Sequence, residues 1–170
     1  MTERQRVGDL EIYQDLGFQE REWKVQRVAW AIMLLVVLLA LIGLFGTGPV
    51  SSGEADAGDG AVAAGYERFI RHDGRTTLTL EVDGSLAQNG EVQLWVSRDY
   101  IEAVQIQQIT PNPSETVAAG ERLIYTFPID DPSSTLTVAF SLRPQDMWRL
   151  NGEAGVPDGP IVTWSQFSYP

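Results

Sequence analysis

The 170-residue sequence has no cysteine and a single histidine, His72. Without cysteine there are no disulfides, thiolate zinc sites, iron–sulfur clusters or cysteine nucleophiles, so an exported domain must be held by its core alone. One histidine leaves little for metal or acid–base chemistry near neutral pH. Basic side chains are also scarce: 12 Lys and Arg against 23 Asp and Glu give a formal net charge of −11. So acidic a chain is repelled by phosphate. That argues against nucleic acid as a partner and discourages adsorption on anionic lipid.

What the sequence does contain is one long apolar run, Val28 to Gly46, VAWAIMLLVVLLALIGLFG, nineteen residues without a charge. At about 1.5 Å rise per residue a helix of this run spans about 28 Å, close to the hydrocarbon thickness of a bilayer. In lipid each backbone N–H and C=O must be paired within the segment, which requires a helix. A signal peptide would have a shorter apolar core nearer the start and small residues before a cut site. Here 27 residues precede the run and LFGTGPVSSG follows it, so an uncleaved anchor over residues 28–46 is expected. Trp23 and Trp30 lie where aromatic rings favour the headgroup zone. Arg21, Lys24 and Arg27 flank the run on one side, and the next basic residue beyond it is Arg68. The positive-inside rule then puts residues 1–27 in the cytoplasm and the C-terminal part outside. Ala40, Gly43 and Gly46 recur every three residues and offer a helix-packing face. The run has no His, Asp, Glu, Lys or Arg, hence no haem or chlorophyll ligand, proton relay or ion site.

Before the anchor, Leu10, Tyr13 and Leu16 fall at helical spacing, interrupted by Gly17. From Glu20 to Arg27 the sequence favours a helix continuous with the anchor, with Glu20 and Lys24 paired at i,i+4. This segment is either a solvated membrane collar or a docking peptide using Ile12, Tyr13, Leu16 and Phe18. After the anchor, residues 47–64, TGPVSSGEADAGDGAVAA, are small, acidic and glycine-rich, which predicts a flexible linker.

From residue 65 to 170 the period changes to two. Leu78, Leu80 and Val82 alternate with Thr and Glu, as Val92, Leu94 and Val96 do with Gln93, Trp95 and Ser97. Val104 and Ile106 break phase at Ile109, as at a bulge. Two further alternating runs are Leu123, Tyr125, Phe127, Ile129 and Leu136, Val138, Phe140, Leu142, and the last strand lies near IVTWSQFSYP. Asp83-Gly84, Asn89-Gly90, Pro111-Asn112-Pro113, Asp130-Asp131-Pro132 and Asn151-Gly152 mark turns. Six to seven short strands in this length predict an antiparallel β-sandwich of immunoglobulin-like type, although the Cys…Trp…Cys signature is missing and the topology stays open. Pro128, in mid-pattern, argues for an edge strand.

No catalytic constellation stands out. A Ser-His-Asp triad would have to use His72, which sits in the turn-like RHDG. Carboxylate pairs assembled from Glu81, Asp83, Asp99 or Glu102 are expected from charge density alone, since residues 47–170 hold seventeen acids and seven bases. Asp130 and Asp131 offer oxygen ligands for calcium but lack EF-hand spacing. Asn112-Pro113-Ser114 is no glycosylation site, because proline occupies its middle position. The aromatics carry more signal. Trp95 falls on the polar side of its strand, Trp148 lies in the long connection 143–160, and Trp164 is out of phase with Phe167 and Tyr169. Trp and Tyr are frequent interface anchors, and long structureless connections are often functional, so these five residues are the candidate partner-binding set.

The stretches DLEIYQDLGFQEREW, YERFIRHDGRTTLTL and the closing QFSYP give the chain a resemblance to a loose group of uncharacterised bacterial single-pass membrane proteins. The resemblance implies a small β domain outside the inner membrane, alongside integral-membrane proteins; it implies no activity. The expectation is a non-enzymatic accessory subunit, anchored in the bacterial inner membrane, that bridges subunits of a larger complex on the periplasmic side. The complex could be an energy-transducing one, respiratory or photosynthetic. Its partners would be integral-membrane subunits and the lipid bilayer, with no cofactor and no small-molecule substrate. The alternatives are a periplasmic ligand-binding or sensing module signalling through the helix, and an unrecognised hydrolase. For the former, 27 cytoplasmic residues are too few for an output domain of their own.

Overall fold

The computed structural model describes residues 4–7, 10–13, 16–41, 51–57 and 60–170, with side chains from residue 21 onwards. Two compact units divide the chain, Met1–Ile42 and Gly43–Pro170.

The first unit opens with two strands, β1 (Arg4–Val7) and β2 (Leu10–Tyr13), paired antiparallel with Arg4 opposite Tyr13 and Val7 opposite Leu10. The helical spacing of Leu10 and Tyr13 is thus overridden. Val7, Ile12 and Tyr13 are β-branched or aromatic and suit extended backbone. Helix α1 (Leu16–Leu41) follows, and Gly17 lies inside its first turn without breaking it. It runs unbroken through Glu20–Arg27 into the apolar run, as the sequence predicts. Its stretch Arg21–Leu41 is long and apolar enough to cross a membrane. Trp23 and Trp30 are exposed on it, and the Arg27 guanidinium stacks 3.5 Å from the centre of the Trp23 ring, one helical turn away. Arg21, Lys24 and Ala40 are exposed as well. Gly43 and Gly46 lie outside the described residues.

The second unit is all-β apart from one short helix. Its strands are β3 (Ser52–Asp56), β4 (Val62–Glu67), β5 (Phe69–Arg71), β6 (Thr76–Asp83) and β7 (Glu91–Ser97). Helix α2 (Arg98–Ala103) intervenes, and β8 (Val104–Thr110), β9 (Glu115–Ala119), β10 (Arg122–Pro128), β11 (Thr135–Pro144), β12 (Trp148–Gly155) and β13 (Ile161–Tyr169) complete the chain. They form a six-stranded sheet, β5-β13-β12-β7-β10-β9, and a five-stranded sheet, β3-β4-β6-β11-β8. Every pairing is antiparallel except β5 with β13. The inward positions predicted from alternation build the core: Leu78, Leu80, Val82, Val92, Leu94, Val96, Tyr125, Phe127, Val138, Phe140 and Leu142 are all buried. The phase break in β8 is a register shift: Leu142 of β11 faces Ile106 while Ser141 faces Gln108.

The all-β sandwich agrees with the sequence, but its strands number more than six or seven. The expected linker 47–64 is one source of extra strands, because its described residues include β3 and the start of β4. A ladder is made by backbone groups and needs no bulky side chains. Here small residues serve packing: the Tyr66 ring fills the space a Cβ on Gly53 would take, and Val62 and Ala64 enter the core. The connection containing Trp148 is likewise ordered as β12. Its inward residues are Leu150, Gly152 and Ala154, too small to register as an apolar alternation. Strand β10 is not an edge, since it lies between β7 and β9. Pro128 is tolerated there because β9 pairs only as far as Thr126, leaving the missing N–H of Pro128 with no ladder to break on that side.

Candidate functional site

The five aromatics of the predicted contact set separate into two groups. Trp95 and Trp164 are 2% and 4% exposed and belong to the packed interior. Trp148 and Phe167 are 60% and 41% exposed, and Tyr169 is exposed beside them. Trp95 does point out of its sheet, as its phase predicts, but it is covered. The Arg122 guanidinium lies 3.9 Å from the ring centre, and the indole N–H donates to the Val156 carbonyl at 3.2 Å. Trp164 faces inward and meets Tyr100 of α2 edge-on, centroids 5.1 Å apart at 81°. Tyr100 donates to Gln166 Oε1 (2.8 Å), and Gln166 Nε2 donates to the Glu67 carbonyl (2.9 Å). Burial pushes the Tyr100 phenol well above its usual range.

The exposed group sits at one corner of the six-stranded sheet. Register brings Phe69 of β5 beside Phe167 of β13, and Phe167 beside Arg149 of β12. One step on, Arg71 lies beside Tyr169. All five side chains are exposed, and Met147 joins them. Trp148 opposes Ser168, an inward position, yet its backbone is left-handed (φ 79°) and its ring stands outside, 6.0 Å from that of Phe167. A bulky residue at positive φ is a strained arrangement of about 1–3 kcal/mol, held only where the surroundings enforce it.

Backbone hydrogen bonds lock this corner. Arg68 N–H donates to Ser51 O (2.6 Å), Phe167 N–H to Arg68 O (2.7 Å), His72 N–H to Tyr169 O (2.7 Å) and Asp73 N–H to Pro144 O (3.0 Å). His72 thus lies in the turn that RHDG predicted. Arg149 Nε donates to Ser165 Oγ (3.1 Å), and Arg143 pairs with Asp73 at 3.5 Å. Arg68, Arg71 and Arg75 are exposed in the segment that carries Phe69. Sequence reasoning found Trp148, Phe167 and Tyr169 but missed Phe69, Met147 and the arginines. The interleaving of aromatic and basic residues in RFIRHDGR was the available signal.

The corner offers apolar ring surface and guanidinium donors. Among the described residues no three His, Cys, Asp or Glu side chains gather to hold a metal ion. Asp83 and Asp131 are committed to their own turns: Ser85 and Ser133, through hydroxyl and backbone N–H, hold each carboxyl below its usual range. Two open clefts lie elsewhere, about 510 Å³ beside Asn89 and Asp158 and about 580 Å³ over Ala63 and Gly65; neither is lined by an aromatic or basic side chain.

No protein-family model matches this chain, and no curated protein does. Solved structures that align with part of this chain include a cohesin module from a Clostridium perfringens family 33 glycoside hydrolase. It is 14% identical, over 63% of this chain and 94% of that one, with a TM-score of 0.39. The Actinomyces fimbrial adhesin FimA is 8% identical over 71% of this chain, with a TM-score of 0.35; the match spans about half (48%) of the adhesin.

Proposed function

We propose that this protein is a non-enzymatic, membrane-anchored accessory subunit of a larger inner-membrane assembly. Its N-terminus is cytoplasmic, and its β-domain is periplasmic. The observation that carries this reading is the surface of α1: from Val28 to Leu41 the side chains are uncharged, overwhelmingly apolar and almost all exposed. Such a surface is stable against lipid tails or neighbouring membrane helices and not against water. The basic residues Arg21, Lys24 and Arg27 precede it, consistent with the stated orientation. The role fits an anchoring run without ionisable groups and a domain in which Asp83 and Asp131 are held by their own turns. Assemblies of the energy-transducing kind are included in the proposal.

Mild-detergent extraction of native membranes, size separation and mass spectrometry test this. Co-migration with integral-membrane proteins at fixed stoichiometry is the expected result. Migration as a lone monomer in every mild detergent would overturn the subunit reading.

A further inference from the structure

We infer that the arginine–aromatic corner docks on anionic phospholipid headgroups in the periplasmic leaflet of the membrane that α1 crosses, an inference that rests on reading α1 as a membrane span. Its first support is the chemistry of the corner. Guanidinium groups bind phosphate through paired N–H donors, and Trp and Tyr rings settle at headgroup depth. Phe69, Phe167 and Tyr169 present rings on one face of the sheet, with Arg71 and Arg149 in register beside them and Trp148 at the edge.

The second support is the distribution of charge. Five segments meet at this end of the domain, 51–53, 67–75, 98–104, 143–149 and 167–170, since the Ala103 carbonyl accepts from Gln145 and Asp146 N–H and the Ser51 carbonyl from Arg68 N–H. They hold six arginines and five carboxylates, Glu67, Asp73, Asp99, Glu102 and Asp146, whereas the remainder of residues 43–170 holds one arginine and twelve carboxylates. The net charge alone predicts repulsion from anionic lipid. Its separation predicts orientation instead: the basic corner is drawn to the surface while the acidic bulk is turned away.

The third support is covalent reach. The order of β3 shortens the expected tether, because Ser51 is already fixed to Arg68 of the corner. Only five peptide links separate Ser51 from Gly46, the last residue of the apolar run. Fully extended they cover roughly 18 Å. Ser51 therefore stays close to the membrane surface, and a weak headgroup affinity is raised by the high local concentration that tethering supplies.

The absence of native cysteine makes a single introduced one a unique reporter. The full-length protein, carrying a spin label at Met147→Cys or, as a control on the far edge strand β9, Val117→Cys, is reconstituted into phosphatidylcholine vesicles with or without phosphatidylglycerol. Accessibility to oxygen and to a water-soluble nickel chelate then reports depth. The expected result is headgroup depth at residue 147 and water exposure at 117 in the anionic vesicles. Arg71→Glu and Arg149→Glu should each lower the docked-to-undocked ratio at least about fivefold. High salt, with a screening length of about 3 Å, should do the same. Equal water exposure at both positions in the anionic vesicles overturns the inference. So does shielding of residue 147 only in native membranes that contain other proteins, which assigns the corner to a protein partner. Flotation after alkaline washing separates the two readings. Protein stripped from the vesicles refutes the anchor, whereas protein that floats with residue 147 in water refutes the docking alone.

Discussion

The indole of Trp164 occupies the space that a side chain on its register partner, Gly152, would need. A Cβ there would overlap Cε2, Cζ2 and Nε1 of the ring. Gly152→Ala should therefore overpack the interior and cost about 1–3 kcal/mol, read as a lower urea midpoint at unchanged slope. Because the clash is with one ring, the same substitution in a Trp164→Leu background should cost much less. Equal costs in both backgrounds would show that the glycine is needed for its backbone and not for the indole.

Tyr100 predicts the alkaline limit of the domain. Burial raises its phenol above the ordinary 10.0; the edge-on Trp164 indole pulls the other way more weakly, without a hydrogen bond of sound geometry. In the unfolded chain the group ionises near pH ~10, while in the fold it stays neutral. Stability should be insensitive to this group below that pH and fall as the pH climbs from there towards the folded value. Urea midpoints measured across this range should drop less steeply in Tyr100→Phe. Tyr125, raised by burial as well, accounts for part of the remaining slope. At neutral pH the variant should lose about 1–3 kcal/mol, because Gln166 Oε1 is left buried without its donor.

Acid should act through two surface turns. Asp83 accepts from Ser85, and Asp131 from Ser133 at 2.7 Å (hydroxyl) and 2.9 Å (N–H). The turns are joined, since Gly84 N–H donates to the Ser134 carbonyl. Both carboxyls titrate below their unfolded value. Their stabilisation is therefore complete above pH ~4 and is lost as the pH falls through the folded values. Asp83→Asn, which cannot ionise, should flatten the acid limb of a stability–pH profile. An unchanged acid limb in Asp83→Asn/Asp131→Asn would remove these turns from the acid response.

Trp95 and Trp148 should differ sharply under truncation. Trp95→Ala removes a buried ring that packs under Arg122 and bonds Val156, at a cost of about 3–5 kcal/mol. Trp148→Ala loses an exposed ring but relieves none of the core, so thermal stability should stay within about 0.5 kcal/mol of the parent. If the two variants melt alike, the division of the tryptophans into interior and contact residues is wrong.

Alternation was enough to locate β6, β7, β10, β11 and β13, because side-chain direction in a strand is a local property with period two. The same rule failed for β3, β4 and β12. Their inward residues Gly53, Ala64, Gly152 and Ala154 are small because large partners, Tyr66 and Trp164 for the two glycines, already fill the space beside them. A small residue chosen by its neighbour's bulk looks like a loop residue until the neighbour is known. Strand β5 escaped notice for a different reason: three residues are too few to show a period.

The sequence by itself determined the apolar span, its lack of ionisable groups, the acidic excess beyond it and the outward phase of Trp95, since each depends on residues close along the chain. Only the tertiary structure decided which outward rings are covered. Trp95 is sealed by a carbonyl 61 residues away, and Phe69 meets Phe167 across nearly the whole length of the domain. Exposure and the clustering of charge are set by contacts between distant segments, so no local pattern encodes them.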